Sequence, residues 1–415
     1  MIRFFIQTKS ILTLMGMVVF CLFFTACGSS SQGTDNGGDQ ATATSTTSEN
    51  SSITFNFATR TWQSISGALT VNCAHGDFST IQKAIDSAAD KSTIQVCAGT
   101  YNETLTIIDK SLSYEGYGEV IIQGNASDTE PLIQITNSPT DTSDYVGVNT
   151  VSFNYFWFTN NANIFVHYAY GNISLNISHS AFSDFDTSAD YLNGGIISVV
   201  RNHDEEQPAL VISDTGFYNN LCRGMFGCLE FHDAAVSIEN STFGNNIAYP
   251  GVLLVYGSQL TTTNTTFESN QTDGDSPYDN YDGTYGGTLY VSGDLDYDIS
   301  SEVNLTTTTF TNNSGDDASA IFIDNASVTA QNCTFSGNSA STTNDDTNGL
   351  DLHGTIFLLA NYFGVAENSL FSSTSSVWSG NSPYDVVINN NTSGYTFSAG
   401  SKTTFTCSHS PGTCQ

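Results

Sequence analysis

The sequence predicts an all-β chain: a single right-handed parallel β-helix (a solenoid) with a short N-terminal capping α-helix. Three observations carry this. A Phe-x-x-Asn pattern recurs through the chain. β-Rich segments alternate with Asn- and Gly-rich turns at the same spacing. Only 12% of the 415 residues are charged, about half the ~25% of an ordinary soluble domain.

The first element is an address. Arg3 and Lys9 precede an apolar run from Ile11 to Phe24, then Thr25-Ala26-Cys27. That is a basic region, a hydrophobic region and a small-residue cleavage site, too short for a comfortable ~20-residue span of a bilayer. Phe24-Thr25-Ala26-Cys27 resembles a bacterial lipoprotein signal, although Phe24 stands where a smaller aliphatic residue is commoner. The resemblance implies a signal peptide over 1–26 and lipid on Cys27. It also implies a place in the cell envelope as an outer-membrane lipoprotein, periplasmic or surface-exposed. Residues 27–52 hold no aromatic and no aliphatic side chain beyond Ala. They cannot bury a core and read as a flexible tether of roughly 25–30 Å.

The β-helix domain is expected over 53–415, with an N-terminal cap over 68–100, repeat coils over about 150–385 and a C-terminal cap over about 386–415. In the N-terminal cap, Phe78, Ile81, Ala84, Ile85 and Ala88 fall at helical spacing, with Asp77 or Ser79 able to cap the start. Such a helix would plug the open end of the solenoid, whose bare first coil exposes core and unpaired backbone.

The coils follow. Phe-x-x-Asn appears at Phe158–Asn161, Phe217–Asn220, Phe243–Asn246, Phe267–Asn270, Phe310–Asn313 and Phe335–Asn338. Phe182 keeps the aromatic without the Asn, and Trp378–Asn381 is a weaker last copy. Successive starts lie 24, 35, 26, 24, 43, 25 and 43 residues apart, a base period that marks a solenoid. Strands this short bury no face alone, but stacked coils do, at ~4.8 Å per coil. Phe is expected to stack on Phe inside, and Asn on Asn at the turn. A rod of about eleven to thirteen coils would be roughly 50–60 Å long.

Cysteine usage suits an oxidising compartment. Nearest neighbours suggest Cys73–Cys97, Cys222–Cys228 and Cys407–Cys414, with other pairings open from sequence alone. Cys333, inside an expected strand, reads as a small buried hydrophobe. No spacing resembles a zinc site.

The helix followed by Ala98-Gly99-Thr100-Tyr101-Asn102-Glu103 looks like the start of right-handed parallel β-helix proteins of the pectate-lyase and pectin-methylesterase kind. The Phe-x-x-Asn copies with strands such as Gly286-Gly287-Thr288-Leu289 resemble the repeats of polymorphic outer-membrane proteins. Those proteins end in a membrane β-barrel. No room for one is seen after Cys407–Cys414, so lipid at Cys27 is expected to supply anchoring.

Charge bounds the function. Beyond residue 26, seven basic residues face all 41 acidic ones, a balance of −34. No nucleic acid is expected as a partner, and no electrostatic docking on anionic lipid. Within the repeats the only cations are Arg201 and Arg223. A β-eliminating lyase needs cations to stabilise an enolate, and an acidic rod repels polyuronates. The pectinesterase motifs with paired Asp, and the Arg-Ile-Lys run of polygalacturonase-like sites, have no counterpart here.

One constellation remains. Strand register places Arg201, His203 and Asp204 on one edge with His232 and Asp233, near Arg223 and Glu230, and with Asp294 two coils on. His beside carboxylate can form an acid/base pair, or the acids can hold a cation; a solvated polar turn is the plainer reading. The long insertions of the other edge carry Asp273, Asp275, Asp279 and Asp282, a possible Ca²⁺ set without EF-hand spacing. Otherwise no cofactor is expected. The leading expectation is a monomeric, non-enzymatic envelope protein whose edge loops bind a glycan or a protein. The alternative is a carbohydrate-active enzyme (lyase, hydrolase or esterase) acting on an extracellular polysaccharide.

Overall fold

The computed structural model of the chain describes residue 60 and residues 62–408, apart from 75, 124–130, 137–148, 160–164, 170–172, 188–194, 202–206, 225–226, 273–285, 295–298, 342–352, 360–368, 389–395 and 400–406. The expected signal, Cys27, the tether, Asn161, His203, Asp204 and the four Ca²⁺-set aspartates lie outside these residues. So do the side chains of the expected Cys407–Cys414 pair.

The fold is the right-handed parallel β-helix with a short N-terminal capping helix that the repeat predicts. One coil shows how it is built. Ala209–Ser213 runs straight with alternating burial, Leu210 and Ile212 inward. Asp214 turns the chain, and Gly216–Tyr218 brings Phe217 into the core. Asn219 turns it again, and Leu221–Cys222 follows. Leu229–His232 forms the third side, and Asp233 turns into the next coil at Ala235. Every strand pairs in parallel with its equivalent one coil away. The third sides stack into an eleven-stranded sheet, called here the second sheet.

Three of the corners use the left-handed backbone region. The first uses Tyr155, His179, Asp214, Asn240, Asn264, Thr307, Asn332 and Ser375, at φ between 48° and 66°. The second uses Asp184, Asn219, Asn245, Ser269, Asn312 and Gly337; the third uses Asp109, Asp233, Gly257 and Asn325. Asn, Asp and Gly reach this region most cheaply. That is one reason the turns collect them.

Two ladders run through the buried interior. Phe158, Phe182, Phe217, Phe243, Phe267, Phe310, Phe335 and Trp378 stack face to face at centroid spacings of 4.2–5.2 Å. Stacking of this kind adds about 0.5–1.5 kcal/mol per pair beyond area burial. Asn220, Asn246, Asn270, Asn313, Asn338 and Asn381 form the second ladder. From Asn246 onward, each Asn side-chain oxygen accepts both the backbone N–H and the side-chain amide of the Asn one coil earlier. Each amide also donates to the backbone carbonyl of the preceding ladder aromatic. These buried polar groups are thereby satisfied within the protein.

Two disulfides match expectation, Cys73–Cys97 and Cys222–Cys228. Cys333 is a free, buried cysteine, and burial pushes its thiol up to about 11. The rung strands continue past 385, with Val386–Ile388, Thr396–Ala399 and Cys407–Ser408 still in register.

The helix spans Ile81–Ser87 and buries Ile81, Ala84 and Ile85 at the N-terminal end. Its cap differs from the expected Asp77 or Ser79: Thr80 is the N-cap, accepting from Lys83 N. Asp77 is engaged elsewhere, accepting from the N–H and hydroxyl of Thr70. The two remaining first-turn donors, Ile81 N and Gln82 N, go to the carboxylate of Glu103 at 2.9 and 3.0 Å. A carboxylate there also opposes the positive end of the helix dipole. The Gly99–Glu103 piece thus has a structural task.

Candidate functional site

The second sheet is where chemistry collects. Its strands include Ile197–Arg201, Leu229–His232, Leu253–Tyr256, Leu289–Ser292, Ala318–Asp324 and Gly354–Leu359. Successive side chains on a strand point to opposite faces. One set (Val199, Phe231, Val255, Val291, Ile323, Leu358) is inward and belongs to the core. The residues between them form two outward lines. The first runs Ser198, Glu230, Leu254, Tyr290, Phe322, Phe357; the second runs Val200, His232, Tyr256, Ser292, Asp324, Leu359.

At one end of it, the Ser198 hydroxyl donates to Glu230 Oε2 at 2.6 Å. The other oxygen, Glu230 Oε1, lies 2.8 Å from His232 Nε2. Glu230 is 3% exposed. The His232 ring lies 5.0 Å from that of Tyr256, and the Tyr256 hydroxyl donates to Asp294 Oδ1 at 3.4 Å.

Further along, the face becomes aromatic. Tyr290 stacks on Phe322 at 4.9 Å, and Phe322 on Phe357 at 5.6 Å. Ala318, Phe322, Phe357, Leu359 and Val387 form a small apolar cluster separate from the main core. Burial pushes the Tyr290 phenol well above its ordinary range, and the nearby charge of Asp324 adds to this. Beyond it, His353 Nδ1 lies 3.1 Å from the carbonyl of Asp316 and 3.5 Å from Asp317 Oδ1. The hydrogen bond with Asp317 raises the imidazole above its ordinary value, while burial opposes the shift.

The sequence-predicted edge is partly assembled. Arg201 ends its strand in register with Ala169. His232 lies on the outward face, and the carboxylate that meets its ring is Glu230, two residues earlier on the same face. Asp233, one residue on, takes the left-handed turn of the third corner, where its N–H donates to the Tyr256 carbonyl. Asp294 joins through Tyr256. Sequence reasoning missed Ser198, Tyr256, Tyr290, Asp317, Asp324 and His353. The available signal was alignment of the short strands one on another, which puts 198, 230, 254, 290 and 322 in one line. Among the described residues no group of three or more His, Cys, Asp or Glu is arranged to hold a metal ion.

The chain is similar in structure to the A-module of the mannuronan C-5 epimerase AlgE4 of Azotobacter vinelandii (15% identity, TM-score 0.44, covering 81% of this chain and 94% of that one). It is also similar to the catalytic unit of a GH87 α-1,3-glucanase of Streptomyces thermodiastaticus (12% identity, TM-score 0.37, 82% and 69% covered). A third is the pectin methylesterase of Aspergillus niger (15% identity, TM-score 0.25, 81% and 86% covered). No protein-family model matches the chain, and no curated protein does.

The wiring limits the chemistry. In a serine nucleophile arrangement an imidazole lies between hydroxyl and carboxylate, so that it takes the hydroxyl proton. Here the carboxylate is in the middle, and the Ser198 hydroxyl donates its hydrogen bond to Glu230. What the row holds is a buried carboxylate between a buried serine and a half-buried imidazole, with tyrosine rings beyond, on a rigid sheet.

Proposed function

We propose that this is a non-catalytic β-helix protein of the bacterial envelope, held by lipid on Cys27, that binds a neutral glycan or a protein. Binding uses the outward face of the second sheet and the edge loops expected from the sequence. The observation that carries this reading is the Ser198–Glu230–His232 row, with its carboxylate in the middle and aromatic rings beside it. Tyrosine faces suit sugar or protein surfaces, and carboxylates accept from hydroxyl groups. The scarcity of cations in the repeats fits an uncharged or basic ligand better than a polyuronate. A glycan array probed with the full chain, with polysaccharide turnover assays in parallel, tests it. Binding that is weakened by Glu230→Gln, without turnover, is the expected result; turnover of any polysaccharide sinks the non-catalytic reading.

A carbohydrate-active enzyme is the second reading, and the 2.8 Å His232–Glu230 pair on the outward face favours it, because imidazole and carboxylate can share acid and base roles. Turnover abolished by both His232→Gln and Glu230→Gln would establish it. Calcium at Asp273, Asp275, Asp279 and Asp282 is a separate proposal, and titration calorimetry with millimolar Ca²⁺ that shows no heat removes it.

A further inference from the structure

We propose that Arg60 and residues 62–68 form a mechanical latch, which carries force arriving from the N-terminal side into the body of the rod and shields the first strand. The first strand, Leu69–Val71, is the weak point. It is three residues long and pairs with the Ser92–Tyr101 strand, with a single further bridge from Val71 to Phe78. A short edge strand pulled from its free end peels one hydrogen bond at a time.

The residues ahead of it are not left to that fate. The Arg60 guanidinium lies between two tyrosine rings, 4.5 Å from the Tyr117 centroid and 4.5 Å from that of Tyr155. It pairs with the Glu115 carboxylate and donates to the Gly116 carbonyl. Glu115 in turn accepts from Asn154 Nδ2. One side chain thus grips the Leu112–Gln123 strand and the turn after Asn149–Asn154, two and three coils inside the end. Gly116 is what allows this approach, since a Cβ there would lie 2.1 Å from the Tyr155 carbonyl oxygen. The grip continues toward the first strand. Trp62 meets Tyr117 edge-on at 4.8 Å. The fully buried Gln95 accepts from Ile65 N and donates to the Gln63 carbonyl and the Tyr117 hydroxyl. Desolvated cation–π and charge-assisted contacts are among the stronger non-covalent ones. Behind the latch, Cys73–Cys97 closes a second stop, so tension passing the first strand bypasses the helix.

This deepens the anchored reading and rests on it, because the latch serves a chain held by its N-terminal side. Mass spectrometry of acylation at Cys27 tests the anchor; the latch is tested apart from it. The full chain is stretched in optical tweezers between its N-terminal end and a handle at the exposed position 211. The expected record is a force-bearing first event that is lost in Arg60→Ala and reduced in Arg60→Lys, with later events unchanged. Reduction of Cys73–Cys97 should then add the 24-residue separation, ~80 Å of extended chain, to the length released. Hydrogen exchange on the same variants gives a second reading: Arg60→Ala should speed exchange of the Ile65 amide about tenfold or more, with the Phe ladder coils unaffected. An unchanged first event, or unchanged exchange at Ile65, overturns the latch.

Discussion

Asn246 gives its side-chain amide to the side-chain oxygen of Asn270, 2.9 Å away and one coil on. Its own oxygen accepts both the N–H and the amide of Asn220, and its amide also reaches the Phe217 carbonyl. Replacement by Ala strands two donors of Asn220 and one carbonyl in a dry interior. Asn246→Ala should cost about 3 kcal/mol or more, read as a lower urea midpoint. Asn246→Asp should be no milder, because the row needs a donor at this position as well as an acceptor.

Glu103 caps a helix that lies about twenty residues before it. Glu103→Gln keeps the shape but loses the charge facing the helix end; Glu103→Ala loses the cap. The expected costs are about 0.5 and about 1–2 kcal/mol. Faster hydrogen exchange confined to the 81–87 helix would check this, and an unchanged helix would contradict it.

His353 links stability to pH. Its folded-state pKa lies above the ordinary 6.5, chiefly because Asp317 favours the protonated ring. A group raised in the folded state contributes stability that is fully present below the unfolded value. That contribution disappears as pH rises through the folded value. The urea midpoint of the wild type should therefore exceed that of His353→Gln most at pH 5.5. The gap should narrow from about pH 6.5 upward, and a gap that widens instead would refute the assignment.

Cys333 should be inert while folded. It is 1% exposed, and burial pushes its thiol up to about 11, so little thiolate exists at pH 8. Iodoacetamide at that pH should label it only after unfolding, as followed by mass spectrometry.

The ladders were legible because they are local and periodic. Phe217, Phe243 and Phe267 are marked by their own spacing, and the Asn three residues later by the same count. Cys73–Cys97 and Cys222–Cys228 followed from proximity along the chain. Long-range capture was not legible. Nothing near Asp77 shows that Thr70 occupies it, and nothing near Glu103 shows that it caps Ile81 and Gln82. The outward face was half legible for a related reason. His232 could be flagged as a polar residue at a strand end. Its partnership with Glu230, and that of Glu230 with Ser198, depends on the inward or outward sense of each strand and on register across a coil lengthened by insertion. Adjacent residues such as His232 and Asp233 look like partners in a sequence, whereas the strand ends at His232 and Asp233 turns away in the left-handed corner.

The Asn row has a direction. Every side-chain dipole in it points the same way along the rod, because each amide gives to the coil ahead and each oxygen takes from the coil behind. Aligned dipoles add, so the row has an electropositive front at Asn381, where the next oxygen is missing. Asp385 fills that place, taking the Asn381 amide at 2.7 Å. A buried anion thus serves as the full stop of a repeating sentence. A further Asn rung after Asn381 would first have to displace that carboxylate. One residue thus ends the Asn row, while the strands of the other sides run on past it.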